Sequence, residues 1–209
     1  ISMANGTDTC GATVYYNITS SDNCPGETVS MVSGLASGSV FPVGTTTNIF
    51  MVTDASGNST TCSFDVTITD TQLPTILCAA DLVTNTDAGL CTATVILTAP
   101  TTSDNCAIAS VTNDHPSTTY PTGLTVVTWT VTDVNGNSAT CIQNVTVTDG
   151  ELPTITCPGN ISTSAAFGLC DQTITTSNPT FSDNCGVVTL TWTLTGATTL
   201  SSPPAGINM

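Results

Sequence analysis

Four cysteines of this chain, Cys62, Cys78, Cys91 and Cys106, each recur at one fixed offset as Cys141, Cys157, Cys170 and Cys185 (141 − 62 = 157 − 78 = 170 − 91 = 185 − 106 = 79). Their surroundings recur with them: Leu73-Pro74-Thr75-Ile76 returns as Leu152-Pro153-Thr154-Ile155, Ser103-Asp104-Asn105-Cys106 as Ser182-Asp183-Asn184-Cys185, and Asp54 to Asn58 (DASGN) as Asp133 to Asn137 (DVNGN). One offset shared by so many positions marks a tandem array in which each copy is a small structural unit. An earlier copy keeps the same order with small gaps, since the steps from Cys10 to Cys91 and from Cys24 to Cys106 are only slightly longer than that offset. The fold must therefore be one that about 79 residues can close, with four cysteines per unit.

Within a unit the apolar residues alternate with Thr and Ser instead of recurring at three and four, which is a strand period and not a helix period. Thr125 to Thr132 and Asn144 to Thr148 are β-branched and period-two. Between them, Asp133-Val134-Asn135-Gly136-Asn137 has the chemistry of a tight hairpin, with Gly136 placed to take the left-handed conformation after a type I turn. Strands are expected near 74–78, 81–85, 91–98, 107–113, 117–120, 124–132 and 138–148. Six or seven short strands in one unit predict an all-β fold, a tandem series of immunoglobulin-like β-sandwich repeats.

Three domains follow: residues 1–70 as a partial repeat lacking its first strand, 71–149 as a complete repeat, and 150–209 as a partial repeat lacking its last hairpin. Pro204 to Asn208 matches Pro121 to Thr125, and the residues that follow Thr125 in the complete unit have no counterpart after Met209. The expectation is a window cut from a longer polymer of repeats. The linkers, Thr69 to Pro74 and Thr148 to Pro153, leave little slack, so neighbouring repeats should stack semi-rigidly.

Lys and Arg are absent, whereas Asp and Glu number 15, so the formal charge is −15 and no side-chain salt bridge forms unless His115 is protonated. Nucleic acid and anionic membrane surfaces need cationic contacts and are excluded as partners. No apolar run approaches the roughly 20 residues of a membrane span, so direct insertion is not expected. Divalent cations are the natural counter-charge. Ten cysteines without a CxxC pair, beside a single histidine, read as disulfides and not zinc ligands, which implies an oxidising, extracellular compartment.

The set LPTI-x-C, GLC, SDNC, PxG, TVTD-x-x-GN and VTVTD resembles the hyalin repeat (HYR) family over essentially the whole chain, in the four-cysteine form of giant surface adhesins of gliding Bacteroidota. Sea-urchin hyalin and some animal receptors carry such repeats too. The resemblance implies an immunoglobulin-like fold, export to the cell surface, and a role in adhesion or gliding motility.

Cys78 lies early in the unit's first strand and Cys141 early in its last. In a sandwich these strands can run parallel side by side, which favours Cys78 with Cys141. Cys10 would then join Cys24, Cys91 join Cys106, and Cys170 join Cys185, leaving Cys62 and Cys157 with partners outside the chain. Pairing of Cys106 with Cys141 is the main competitor.

Asp22, Asp104 and Asp183 share one repeat position, Asp54 and Asp133 a second, Asp70 and Asp149 a third. If the Asp104 loop and the Asp133 hairpin meet at one end of the sandwich, these carboxylates could cage calcium with a linker aspartate. Turn capping is the competing and more ordinary role. Apart from calcium no cofactor is expected. Asn5, Asn17, Asn58, Asn144 and Asn160 lie in N-x-S/T sequons. Trp129 and Trp192 read as packing residues, and His115 as a solvated loop residue without a counterpart in other repeats. With no Lys, no Arg and no second His, a general base or oxyanion-stabilising cation is hard to assemble, and aspartates that recur in every unit behave as turn residues would. The chain is therefore expected to be no enzyme but a structural stalk segment of a long extracellular filament or cell-surface adhesin. Its first partners are neighbouring repeats of the same polypeptide. A module binding a surface glycan or protein ligand, or the spacer of a surface-anchored enzyme, are the alternatives.

Overall fold

The computed structural model describes residues 1–168, 172–186, 188–191 and 193. Among them there are only strands, turns and loops, the immunoglobulin-like all-β class. The first repeat contains β1 (Ser2–Ala4), β2 (Gly11–Thr13), β3 (Thr28–Ser33), β4 (Val40–Pro42), β5 (Gly44–Thr53) and β6 (Ser59–Thr69). They form a four-stranded sheet in the order β1-β6-β5-β3 and a β2-β4 pair.

The second repeat contains β7 (Thr75–Leu77), β8 (Leu82–Asn85), β9 (Thr92–Thr94), β10 (Thr101–Ser103), β11 (Ile108–Asn113), β12 (Thr119–Pro121), β13 (Gly123–Asp133) and β14 (Ser138–Thr148). Its sheet order is β11-β13-β14-β8, with β12-β9 and β10-β7 as pairs. In the third, β15 (Thr154–Thr156) pairs with β16 (Thr180–Ser182). β10 and β16 were not expected from the sequence, because three residues such as Thr-Thr-Ser show no alternation; they form because β7 and β15 offer them an open edge. The expected strand 91–98 shrinks to β9.

Two compact units are present. The first comprises residues 1–80, 97–116 and 126–143; the second, 81–96, 117–125 and 144–209. The boundary between them falls inside the middle repeat.

In the first unit, Ala12, Val14, Phe41, Val66 and Ile68 form a core flanked by Tyr16, Leu35, Val43 and Phe64. The Tyr16 ring meets Phe64 edge-on at 5.0 Å between centroids, a favoured aromatic geometry. β13 shows why the sequence period works: Val127, Trp129, Val131 and Asp133 are buried while the residues between them are not. Trp129 Nε1 donates to Gln143 Oε1 at 3.2 Å and Gln143 Nε2 donates to the Ala80 carbonyl at 2.9 Å, so these buried polar groups are satisfied. In the second unit, Ala93, Tyr120, Val145 and Val147 are buried; β12 sets Tyr120 opposite Ala93.

Both described hairpins have one design. Asp133 Oδ1 accepts from the N–H of Asn135 at 2.8 Å and of Asn137 at 2.9 Å, Oδ2 accepts from Asn137 Nδ2 at 2.8 Å, and Gly136 takes φ +94°. Asp54 repeats this with Ser56 and Asn58, and Gly57 has φ +89°. The Asn58 side-chain amide, and then its backbone N–H, hold the Asp54 carboxyl below its ordinary value. A carboxyl with a depressed folded pKa adds stability above its unfolded value, and that stability is lost as pH falls through the folded one. Asp54→Asn should therefore melt below the parent protein at about pH 5–7 and converge with it below about pH 3. A constant gap in midpoint across that range by circular dichroism would contradict this role.

Candidate functional site

The parallel pairing of β8 with β14 sets Leu82 opposite Val145. Cys78 precedes Leu82 by four residues, as Cys141 precedes Val145. The two cysteines are joined, with 5.8 Å between Cα atoms, inside the range a disulfide needs.

The remaining cysteines pair across the repeat boundary. Cys10 is bonded to Cys106 (Cα separation 4.7 Å) and Cys91 to Cys185 (4.6 Å). The expected pairs Cys10 with Cys24 and Cys91 with Cys106 are thus not formed, and Cys185, expected to join Cys170, is bonded to Cys91 instead. Cys170 itself lies outside the described residues. The reason is geometric: the cysteine nearest in sequence is not the one within bonding distance, whereas the loop before β2 or β9 meets the S-D-N-C loop of the following repeat. Cys24, Cys62 and Cys157 are free and exposed.

The linker explains how those two loops are brought together. Asp70, which follows β6, is 5% exposed, and its Oδ1 accepts from the Gln72 N–H at 3.1 Å. Gln72 then clasps Asp8, accepting from the Asp8 N–H at 2.9 Å and donating to its carboxylate at 3.0 Å. From the other side, Asp104 Oδ2 caps its loop by accepting from the N–H of Cys106 at 2.8 Å and of Ala107 at 3.2 Å. Asn105 Nδ2 donates to the Thr9 carbonyl at 3.1 Å and reaches Asp70 Oδ1 at 3.5 Å. Asn137 Nδ2 adds a bond at 3.4 Å to the Asp70 carbonyl, which links the Asp133 hairpin to the linker.

The second unit repeats the pattern one period on. Asn184 Nδ2 donates to the Leu90 carbonyl at 2.7 Å, Asp183 Oδ2 accepts from Cys185 N–H at 3.2 Å, and Glu151 Oε2 accepts from Gly89 N–H at 2.8 Å. The junction is thus a repeated element with a repeated disulfide.

Among the seven candidate aspartates, Asp70 and Asp104 bring carboxylate oxygens within 4.8 Å of one another. Asp54 and Asp133 spend both oxygens on their own turns. Asp22 Oδ2 accepts from Cys24 N–H at 3.2 Å, and Asp149 Oδ1 from Glu151 N–H at 3.1 Å, both in exposed settings. Asn105 and Gln72 were missed as junction residues; their recurrence as Asn184 and Glu151 was the available signal. Trp129 is a core residue, and Trp192 lies outside the described residues. His115 is half-buried, with its N–H on Asn113 Oδ1 at 3.0 Å.

The model of the HYR domain matches residues 4–68 and 69–147. Hyalin of Strongylocentrotus purpuratus is 32% identical over 186 residues, 85% of this chain and 16% of that protein. Hyalin of Lytechinus variegatus is 30% identical over 189 residues, 87% of this chain and 36% of that protein. The chain therefore spans well under half the length of these curated relatives. Among solved structures, the protocadherin gamma B2 extracellular cadherin domains 1–5 align with a TM-score of 0.36 and 13% identity over 74% of this chain and 39% of that one, too loose a likeness to carry an argument.

Proposed function

This chain belongs to the HYR domain family, and on that footing we propose that its repeats form a stalk in a longer cell-surface adhesin or filament, whose task is to carry tension without lengthening. Disulfide-bonded HYR repeats fit an extracellular, adhesion-related module.

One observation supports the stalk above all others, the overlap of the two inter-repeat disulfides. A force entering at Cys10 crosses the sulfur bridge to Cys106, runs back along the chain to Cys91, and crosses the second bridge to Cys185. That covalent path contains only the backbone between Cys91 and Cys106, whereas the unbridged path is the whole backbone from Cys10 to Cys185. The short stretch reaches about 50 Å at full extension, and the long one about 600 Å. Complete loss of the sheets would therefore lengthen the oxidised segment very little. At a cell surface, such a tether holds an adhesive or gliding contact at fixed distance. The absence of Lys and Arg also removes trypsin-type cleavage sites.

Single-molecule pulling between the two termini tests this reading. In oxidising buffer the segment between Cys10 and Cys185 should release no long step, and after reduction it should release several hundred ångströms, up to about 600 Å. Releases of that size from the oxidised chain would rule out the inextensible stalk.

A further inference from the structure

We propose that the repeat junction is a calcium site built on Asp70 and Asp104, with Asn105 beside them. The proposal does not depend on the stalk reading.

Acidic clusters are common on a chain with this charge, and closeness alone is weak. What sets this cluster apart is its unsatisfied oxygens. Asp70 is 5% exposed, yet its Oδ2 is buried without a hydrogen-bond partner; so are Asp104 Oδ1 and Asn105 Oδ1. Each of the three residues has its other polar atom engaged, Asp70 Oδ1 by Gln72, Asp104 Oδ2 by the Cys106 and Ala107 N–H groups, and Asn105 Nδ2 by Thr9. The engaged atoms hold the side chains in place. The free oxygens, two of them formally anionic, are left without a donor.

A buried carboxylate oxygen with no donor is costly, and no Lys or Arg exists anywhere in the sequence to neutralise it. Cys106 Sγ lies in the same cluster but is bonded to Cys10 and offers no thiolate. A donor set made only of oxygen selects a hard cation. Calcium, which accepts irregular cages and completes its shell with water, fits better than magnesium, which demands a near-ideal octahedron.

The second unit supplies an independent repetition. Asp183 Oδ1 and Asn184 Oδ1, one period after Asp104 and Asn105, are again buried without partners, although Asp149, the counterpart of Asp70, is exposed there. The site in the first unit is thus the more complete one. Bound calcium would tie the linker carboxylate to the S-D-N-C loop beside the Cys10–Cys106 bridge, so the junction would be clamped by an ion as well as by sulfur.

The test uses the full chain with its disulfides intact, stripped with chelator and titrated with calcium chloride by calorimetry and thermal melting. The expected result is saturable binding and a rise in melting midpoint, with affinity weakened about tenfold or more in Asp70→Asn and Asp104→Asn, and a markedly weaker response to magnesium. Asp65→Asn and Asp114→Asn remove a charge at exposed positions away from the cluster and should leave calcium affinity unchanged. Should the junction variants fold poorly, parent protein in which calcium and magnesium raise the midpoint equally, or calcium not at all, already overturns the site. So does calcium affinity lowered as much by the exposed variants as by the junction variants, since that is general screening of negative charge.

Discussion

Replacing Cys10 and Cys106 together by serine is expected to lower the stability of the first compact unit by about 4–5 kcal/mol, the chain-entropy value for a loop of this size. The bridge spans a sequence separation of 96, longer than the 63 spanned by Cys78 and Cys141. The loss arises mainly in the unfolded state, which regains the freedom the bridge removed. Hydrogen bonds of the junction, such as Asn105 to Thr9, would persist at first, so the loss should appear in denaturant unfolding while the native circular dichroism stays unchanged. Peptide mapping without reduction should recover Cys10 with Cys106 and Cys91 with Cys185. Recovery of Cys10 with Cys24, or a double variant as stable as the parent protein, would refute the inter-repeat bridge.

The second large effect is expected at Phe41. Its side chain is fully buried at the centre of the cluster with Ala12, Val14, Val66 and Ile68, and it meets Tyr16 edge-on at 6.5 Å. Phe41→Ala should cost about 3–5 kcal/mol, the sum of lost burial and the cavity left behind. Val40 is the immediate neighbour on β4 but faces the other way, at 62% exposure; Val40→Ala should cost under about 1 kcal/mol. Equal losses at the two positions, measured by urea unfolding, would mean that β4 does not alternate as described.

Much of this architecture is legible in the sequence because it depends on local chemistry. The alternation of β13 shows through Val127, Trp129 and Val131 because a strand exposes every second residue to one environment. The Asp-x-x-Gly-Asn turns show because their hydrogen bonds run between close neighbours in the chain. The Cys78–Cys141 bridge could be argued from the parallel neighbourhood of early and late strands. By contrast, β10 and β16 carry no pattern of their own, and they exist only because a partner edge lies beside them.

The repeat length, the all-β class, the hairpin turns and the oxidising setting implied by the cysteines can all be read from the residues, since each is a property of neighbours in the chain or of overall composition. It took the folded chain to establish that Cys10 and Cys91 reach forward into the following repeat, and that Asp70 and Asp104 bring buried, unpaired carboxylate oxygens together. Both depend on which loops meet at a junction between repeats. From sequence, Cys24 is the expected partner of Cys10; only the folded chain, with Cys10 and Cys106 at 4.7 Å between Cα atoms, selects Cys106.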